Sequence, residues 1–242
     1  MKARLLTVRN VSNTYSSRSM GLFGKRQEKP VLDKVSLEIM EGEIFGLTGE
    51  SGSGKTTLGR CILGLIKYEG EILINGLDES KSKYNARIRA RKLGAVFQDP
   101  SASLNPVKKA GWLLEEPLRV HRIGSKKERE KQVDEMLNLI GLDSSYKKRR
   151  PAELSSGQKQ RISIGCALML RPSLIIADEP VSALDVSTGA QIINLFQDLK
   201  QQLGISLLFI SHNIDLINYL CDRVAFIEQG KIVAVQELPA IP

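Results

Sequence analysis

The run Gly49-Glu50-Ser51-Gly52-Ser53-Gly54-Lys55-Thr56-Thr57 gathers residues whose types and order suit one chemistry. Glycines let backbone N–H groups turn toward an oxyanion, a lysine adds a point charge, and the neighbouring hydroxyl can ligate Mg2+. The run follows the strand-like "EIFGLT" and opens the helix-like "LGRCILGL", so the positive end of a helix would face the same anion. This is the pattern of a loop that holds the β- and γ-phosphates of a nucleotide.

Such a loop needs an acidic partner for its metal ion. "LIIADEP" supplies four apolar strand residues and then Asp178 and Glu179, at the carboxyl end where open α/β sheets bind ligands. Asp178 is placed to hold Mg2+ through water, and Glu179 to polarise an attacking water as general base. His212, after the apolar "ISLLFIS", could donate a hydrogen bond to a γ-phosphate. Gln98, in "GAVFQDP", also ends a strand and gains interest from the phosphate chemistry at the other strand ends. The second histidine, His121, sits in a polar, basic stretch and is expected at the surface.

The elements that must position these residues are legible in outline. "LLTVRNV", "VSLEIM", "EIFGLTG" and "GEILING" are short apolar runs between turns, which reads as strands. Between the first two lies "SSRSMGLFGKRQEKP", expected to be a polar loop. From about Pro100 to Arg161 the pattern turns helical, with Val133, Met136, Leu137 and Ile140 at helical spacing and Gly141 as a stop. "SLIIADEP" and "ISLLFISHN" are buried-strand patterns, separated by an amphipathic helix ending in Gly204. Continuous apolar strands alternating with helices predict a parallel sheet covered on both faces.

The 242 residues are 42% hydrophobic and 26% charged, a soluble globular balance with enough chain for a sizeable core. No apolar run reaches the roughly 18–20 residues that span a bilayer, and the first residues lack a signal-peptide core, so the chain is expected in the cytosol. Cys61, Cys166 and Cys221 fit no metal spacing and are expected to be reduced core thiols. The formal net charge of +8 favours polyphosphate, nucleic acid or anionic lipid, without choosing among them. The basic clusters "KSKYNARIRARK" and "KKRR" are interrupted and read as solvated helix faces.

"GESGSGKTT", "FQDP", "LSSGQKQR", "LIIADEP", "SALD" and "ISHN" occur in the order and approximate spacing of ATP-binding cassette (ABC) ATPases, which the chain resembles over nearly its whole length. The resemblance implies an α/β P-loop NTPase fold of ABC type: one nucleotide-binding domain over residues 1–242, with an antiparallel β-subdomain, a core at about 1–98 and 162–242, and an inserted helical signature subdomain at about 99–161. It implies that ATP is bound by Tyr15, stacked on adenine, and by Gly49, Glu50, Ser51, Gly52, Ser53, Gly54, Lys55, Thr56 and Thr57. Thr56, Gln98 and Asp178 would hold Mg2+, with Glu179, His212 and Gln98 catalytic. Gln98 would also relay to a membrane subunit, and Asp185 would lie at a dimer interface.

Ser155, Ser156, Gly157 and Gln158 match the signature loop of that family, usually written LSGGQ, which acts on ATP held by the opposite subunit. Ser156 replaces the first glycine, and a special backbone angle there would be strained by its Cβ. The expectation is reduced competence, relieved by Ser156→Gly.

"FQDPSASLNP", "LLEEPLRVH" and "ADEPVSALDVSTGAQIINLFQDLKQQLGIS" resemble the dipeptide, oligopeptide and nickel importer ATP-binding subunits, as does the basic insert "SMGLFGKRQEKPVLDKVS". That implies an ATP-hydrolysing motor for peptides or nickel/metal chelates, at the cytoplasmic face of the cell membrane and peripheral through permease subunits. Its implied partners are a second ABC ATPase subunit, a paralogue rather than a second copy, two transmembrane permeases and an extracytoplasmic solute-binding protein, with no direct nucleic acid. The chain stops at "VAVQELPAIP", without the carboxy-terminal extension of many peptide-type members, which moves weight toward nickel or metal chelates. Two alternatives stay open: a subunit of a phosphonate-degradation complex, and a soluble nucleic-acid-associated ABC ATPase. A non-catalytic cassette is disfavoured by Lys55, Asp178, Glu179 and His212 together.

Overall fold

The computed structural model describes residues 3–18, 26–78 and 85–239, which form two compact units. The first comprises residues up to Arg89 and from Leu208 onward, and the second runs from Ala90 to Leu207.

The first unit opens with β1 (Arg4–Arg18), β2 (Arg26–Met40), β3 (Ile44–Thr48), α1 (Lys55–Leu63), β4 (Glu69–Ile74), β5 (Leu77–Asp78) and the start of α2 (Asn85–Lys92). β2, β1, β4 and β5 make an antiparallel sheet in that order. Leu6, Val8, Val11, Val35, Leu37, Ile39, Ile72 and Ile74 are buried in it, as alternation on a half-buried sheet requires.

The second unit carries β6 (Leu93–Val96), α3 (Pro100–Ser103), α4 (Ala110–Val120), α5 (Lys126–Leu139), two single 3-10 turns (Ser144–Lys148 and Pro151–Glu153), α6 (Ser156–Leu168), β7 (Leu174–Asp178), α7 (Val186–Leu203) and the start of β8 (Ser206–Ile210). β6 and β7 pair in parallel, Leu93 opposite Leu174 and Val96 opposite Ala177. β7 is buried along its whole length, in keeping with its apolar run Leu174–Ala177 before Asp178. α5 begins with a capping box between Ser125 and Glu128 and gives way to Gly141 at φ 69°. α7 ends at Gly204, φ 62°, whose N–H bonds the Lys200 carbonyl.

The chain re-enters the first unit within β8 and adds α8 (Ile214–Leu220), β9 (Arg223–Glu228) and β10 (Lys231–Glu237). β3 lies parallel to β9, which pairs antiparallel with β10. Asp222 closes this layer, its carboxylate accepting the Ile44 N–H at 2.7 Å.

Three expectations change. The polar loop of residues 16–30 is shorter than its composition suggests: β1 continues to Arg18 and β2 begins at Arg26, with Ser16 opposite Glu28 and Ser17 opposite Gln27. Ladder bonds come from the backbone, so a polar sequence does not prevent pairing. Residues 19–25 of the basic insert lie outside the described residues, as do 79–84 at the start of the second basic cluster. That cluster is not simply a solvated face either. Arg89 is buried, with its guanidinium 3.4 Å from the Tyr68 hydroxyl. In "KKRR", Lys147 pairs with Asp134 at 2.7 Å and Arg149 stacks over Tyr146.

Candidate active site

In the first unit the phosphate loop joins the buried β3 to α1. At Gly49, φ 155°, a β-carbon would lie 2.1 Å from the Ile227 carbonyl oxygen. At Gly54, φ 109°, it would meet Leu32 at 2.8 Å and the Val31 carbonyl oxygen at 2.9 Å. Only glycine lets the loop run this close to β9 and β2. Gly54 is the N-cap of α1 and brings no side-chain cap, which leaves the first-turn N–H groups for a ligand. Lys55 is buried, its ammonium donating to the carbonyls of Gly49 at 2.7 Å and Glu50 at 2.9 Å. The Ser53 hydroxyl is buried inside the loop and has no hydrogen-bond partner among the described residues. A cradle with uncapped N–H groups, an inward hydroxyl and a tethered ammonium fits a polyphosphate.

Tyr15 is 65% exposed on β1 and lines a cleft of 570 Å³ with Asn13, Ile66 and Tyr68. His212 is exposed just beyond the end of β8. The turn after it is tied by Asn213, which donates its N–H to the Ser211 hydroxyl and caps α8 by accepting from the N–H groups of Asp215 and Leu216.

In the second unit Asp178 is buried at the last residue of β7. Glu179 follows at φ 51°, a left-handed conformation costly for a side chain of this length. Ser182 bonds the Glu179 carbonyl through its N–H at 3.3 Å and its hydroxyl at 3.0 Å, which helps hold the turn. Gln98 is exposed after β6. Asp99 beside it caps α3, accepting the Ser101 N–H at 2.8 Å.

The signature stretch is the start of α6. Ser155 is the N-cap, accepting the Gln158 N–H at 3.3 Å, while the Gln158 side chain accepts the Ser155 N–H at 3.0 Å. Ser156 is the first helical residue and is absent from the positive-φ positions. The strain expected of Ser156 is therefore not there: a first-turn helical residue takes φ < 0, which serine adopts freely. Asp185 caps α7, accepting the Thr188 N–H at 2.9 Å and its hydroxyl at 2.7 Å. Those two bonds hold its carboxyl below the ordinary aspartate value.

Within this unit a cleft of 390 Å³ opens beside Gln98, lined by Phe97, Leu104, Pro117, Val120, His121 and Cys166. His121 is thus a half-buried wall residue, where its polar sequence surroundings suggested a surface one. Cys166 is likewise a half-buried wall residue, its thiol turned out of water, whereas Cys61 and Cys221 are buried as whole residues. Burial pushes the Cys166 thiol up to about 12 and the Cys61 thiol to about 11, so neither is an activated nucleophile.

The family model described as ABC transporter matches residues 32–182, from the middle of β2 through the turn after Glu179. The chain belongs to the ABC transporter family. It is 44% identical over 237 residues to the oligopeptide transport ATP-binding protein OppF of Streptococcus mutans, covering 97% of this chain and 75% of that one. It is also 44% identical over 233 residues to the oligopeptide transport ATP-binding protein AppF of Bacillus subtilis, covering 95% and 70%. Among solved structures, the ATP-binding cassette MJ0796, a dimer in a post-hydrolysis state bound to ADP and Pi, superposes with a TM-score of 0.84 at 32% identity, covering 98% of this chain and all of that one. CbiO1 from Clostridium perfringens, part of the transporter complex cbiONQ, superposes at 0.84 with 26% identity, over 98% and 89%. The fold is that of the ABC ATPases, and the cassette is an ATPase of this family.

In this cassette Tyr15, the phosphate loop and His212 fall in the first unit, and Gln98, the signature loop, Asp178, Glu179 and Asp185 in the second. Two residues in the second unit escaped the sequence reading. Thr188 anchors Asp185 and abuts Gly157. Its signal was the Asp-x-x-Thr spacing of an N-cap. Gln160 is buried one turn after Gly157, and nothing in its surroundings in the sequence marked it.

Proposed function

We propose that the cassette is the ATP-hydrolysing motor of a membrane importer for peptides. The observation that carries this reading is the 44% identity to OppF across 97% of the chain. The peptide-import names of the relatives favour peptides over nickel or metal chelates. Among the described residues no helix is long and apolar enough to cross a membrane, so coupling to transport would run through separate permease subunits. The cleft beside Gln98, walled by Phe97, Leu104, Pro117 and Val120, is the surface we assign to them.

The roles follow from the chemistry each group can perform. N–H groups of residues 49–57 and the Lys55 ammonium bind the phosphates, and Tyr15 offers its exposed ring to the base. Thr56, Gln98 and Asp178 would hold Mg2+, which neutralises phosphate charge when bound. Glu179 takes the proton of the attacking water, and His212 hydrogen-bonds the γ-phosphate. The left-handed backbone at Glu179 supports this role, since such strain persists where the surroundings over-determine it, often at reacting centres. Ser155, Ser156, Gly157 and Gln158 act on ATP bound by a second cassette, a paralogue, with Asp185 at the shared interface. An extracytoplasmic binding protein would deliver the peptide.

The test is a Glu179→Gln chain in its native transporter. It should bind ATP as the wild type does, lose hydrolysis by at least about 10²-fold, and abolish peptide uptake by cells. Retained turnover would overturn the base assignment. Normal peptide uptake with impaired nickel uptake would transfer the reading to metal chelates.

A further inference from the structure

Gln160 is 1% exposed, and among the described residues neither its side-chain oxygen nor its nitrogen has a hydrogen-bond partner. A buried amide left so is a standing cost, and native folds keep few of them. Its place on α6 says what it could serve. Residues three apart on a helix share a face. Gly157, one turn earlier, faces Thr188 of α7. Ser163, one turn later, lines the 390 Å³ cleft with Ala95, Phe97, Ser103 and Leu104. Gln160 therefore lies on the strip of α6 that leads from the first turn of α7 to the segment in which Gln98 sits. α6 packs on both β6 and α3, the elements on either side of Gln98.

That segment has few means of holding Gln98 by itself. The Asp99 carboxylate is committed to the Ser101 N–H, and Pro100 has no N–H to give. A primary amide carries both a donor and an acceptor, so it can bond a carbonyl and an N–H of one backbone stretch together.

We propose that Gln160 is a positioning residue for ATP hydrolysis: when the cassette engages nucleotide, its amide bonds the backbone of residues 97–99 and sets the direction of Gln98. This rests on the ATPase role proposed above. It makes the signature helix, whose first turn addresses the partner's nucleotide, also the support of Gln98 on the chain's own strand end.

The test is Gln160→Met, which fills a similar volume without polar atoms, made in the full chain within its transporter. The nucleotide-free protein should melt at the same temperature or a few degrees higher, because the orphaned groups are gone. The kcat for ATP should fall about tenfold with KM changed less than about twofold, as expected when positioning and not binding is lost. In a Gln98→Ala background the same substitution should cost nothing further, because both act through one residue. A lower melting temperature would mean that a buried water already satisfies the amide and its role is structural, which overturns the proposal. An unchanged kcat, or independent losses in the double variant, overturns it equally. Glu179→Gln, measured alongside, separates the two readings: turnover retained there sinks the ATPase assignment, whereas normal turnover in Gln160→Met alone sinks only this one.

Discussion

Thr188 lies against Gly157 so closely that a β-carbon on the glycine would come within 2.4 Å of the threonine Cγ2. The same threonine donates its hydroxyl and its N–H to Asp185. One side chain thus joins the first turn of the signature helix to the cap of α7, and glycine at 157 is a packing requirement. Gly157→Ala should destabilise the protein by about 1–3 kcal/mol through overpacking and lower the ATPase rate of the assembled transporter. Adding Thr188→Ser removes the offending methyl and keeps the hydroxyl, so the double variant should recover most of the loss in thermal melts. A double variant no more stable than Gly157→Ala would refute the steric account.

Asp185 should leave a mark on the acid side of the stability profile. Its bonds to Thr188 lower its folded-state value below the ordinary 3.8. A depressed carboxylate stabilises the fold above its unfolded value, and that contribution disappears as pH falls through the folded one. Melting curves of the wild type and Asp185→Asn should therefore differ near neutral pH and converge below 3.8. A constant gap down to strongly acid pH would show that the charge of Asp185 is not what stabilises the cap.

Ser156→Gly should not activate the enzyme through relief of strain. Ser156 is an ordinary first-turn residue of α6, exposed and outside the positive-φ positions. Glycine there should lower the melting temperature slightly, since it costs about 0.5–1 kcal/mol within a helix, and leave ATPase activity within about twofold. A several-fold rise would locate the effect in the serine side chain meeting the partner's nucleotide, not in the backbone.

Much of this cassette is legible before any coordinates. Gly49, Gly54 and Lys55 announce themselves because a phosphate cradle needs a local run of glycine and one lysine, and local runs survive in sequence. The buried strands β3, β7 and β8 read as apolar runs because both of their faces are covered. The stops at Gly141 and Gly204 are likewise local. The hairpin arms around residues 16–30 were not legible, since their pairing is made by backbone groups whatever the side chains are.

The sequence by itself determined the family, the order of the elements and the residue types that meet the phosphates, because each is written in neighbouring positions. Only the tertiary structure decided that Ser156 is unstrained, that Thr188 is seated on Gly157, that His121 and Cys166 wall a cleft, and that the Gln160 amide is buried without a partner among the described residues. Those properties depend on what approaches from elsewhere in the chain. Helical phase and close packing set that approach, and no single segment carries it.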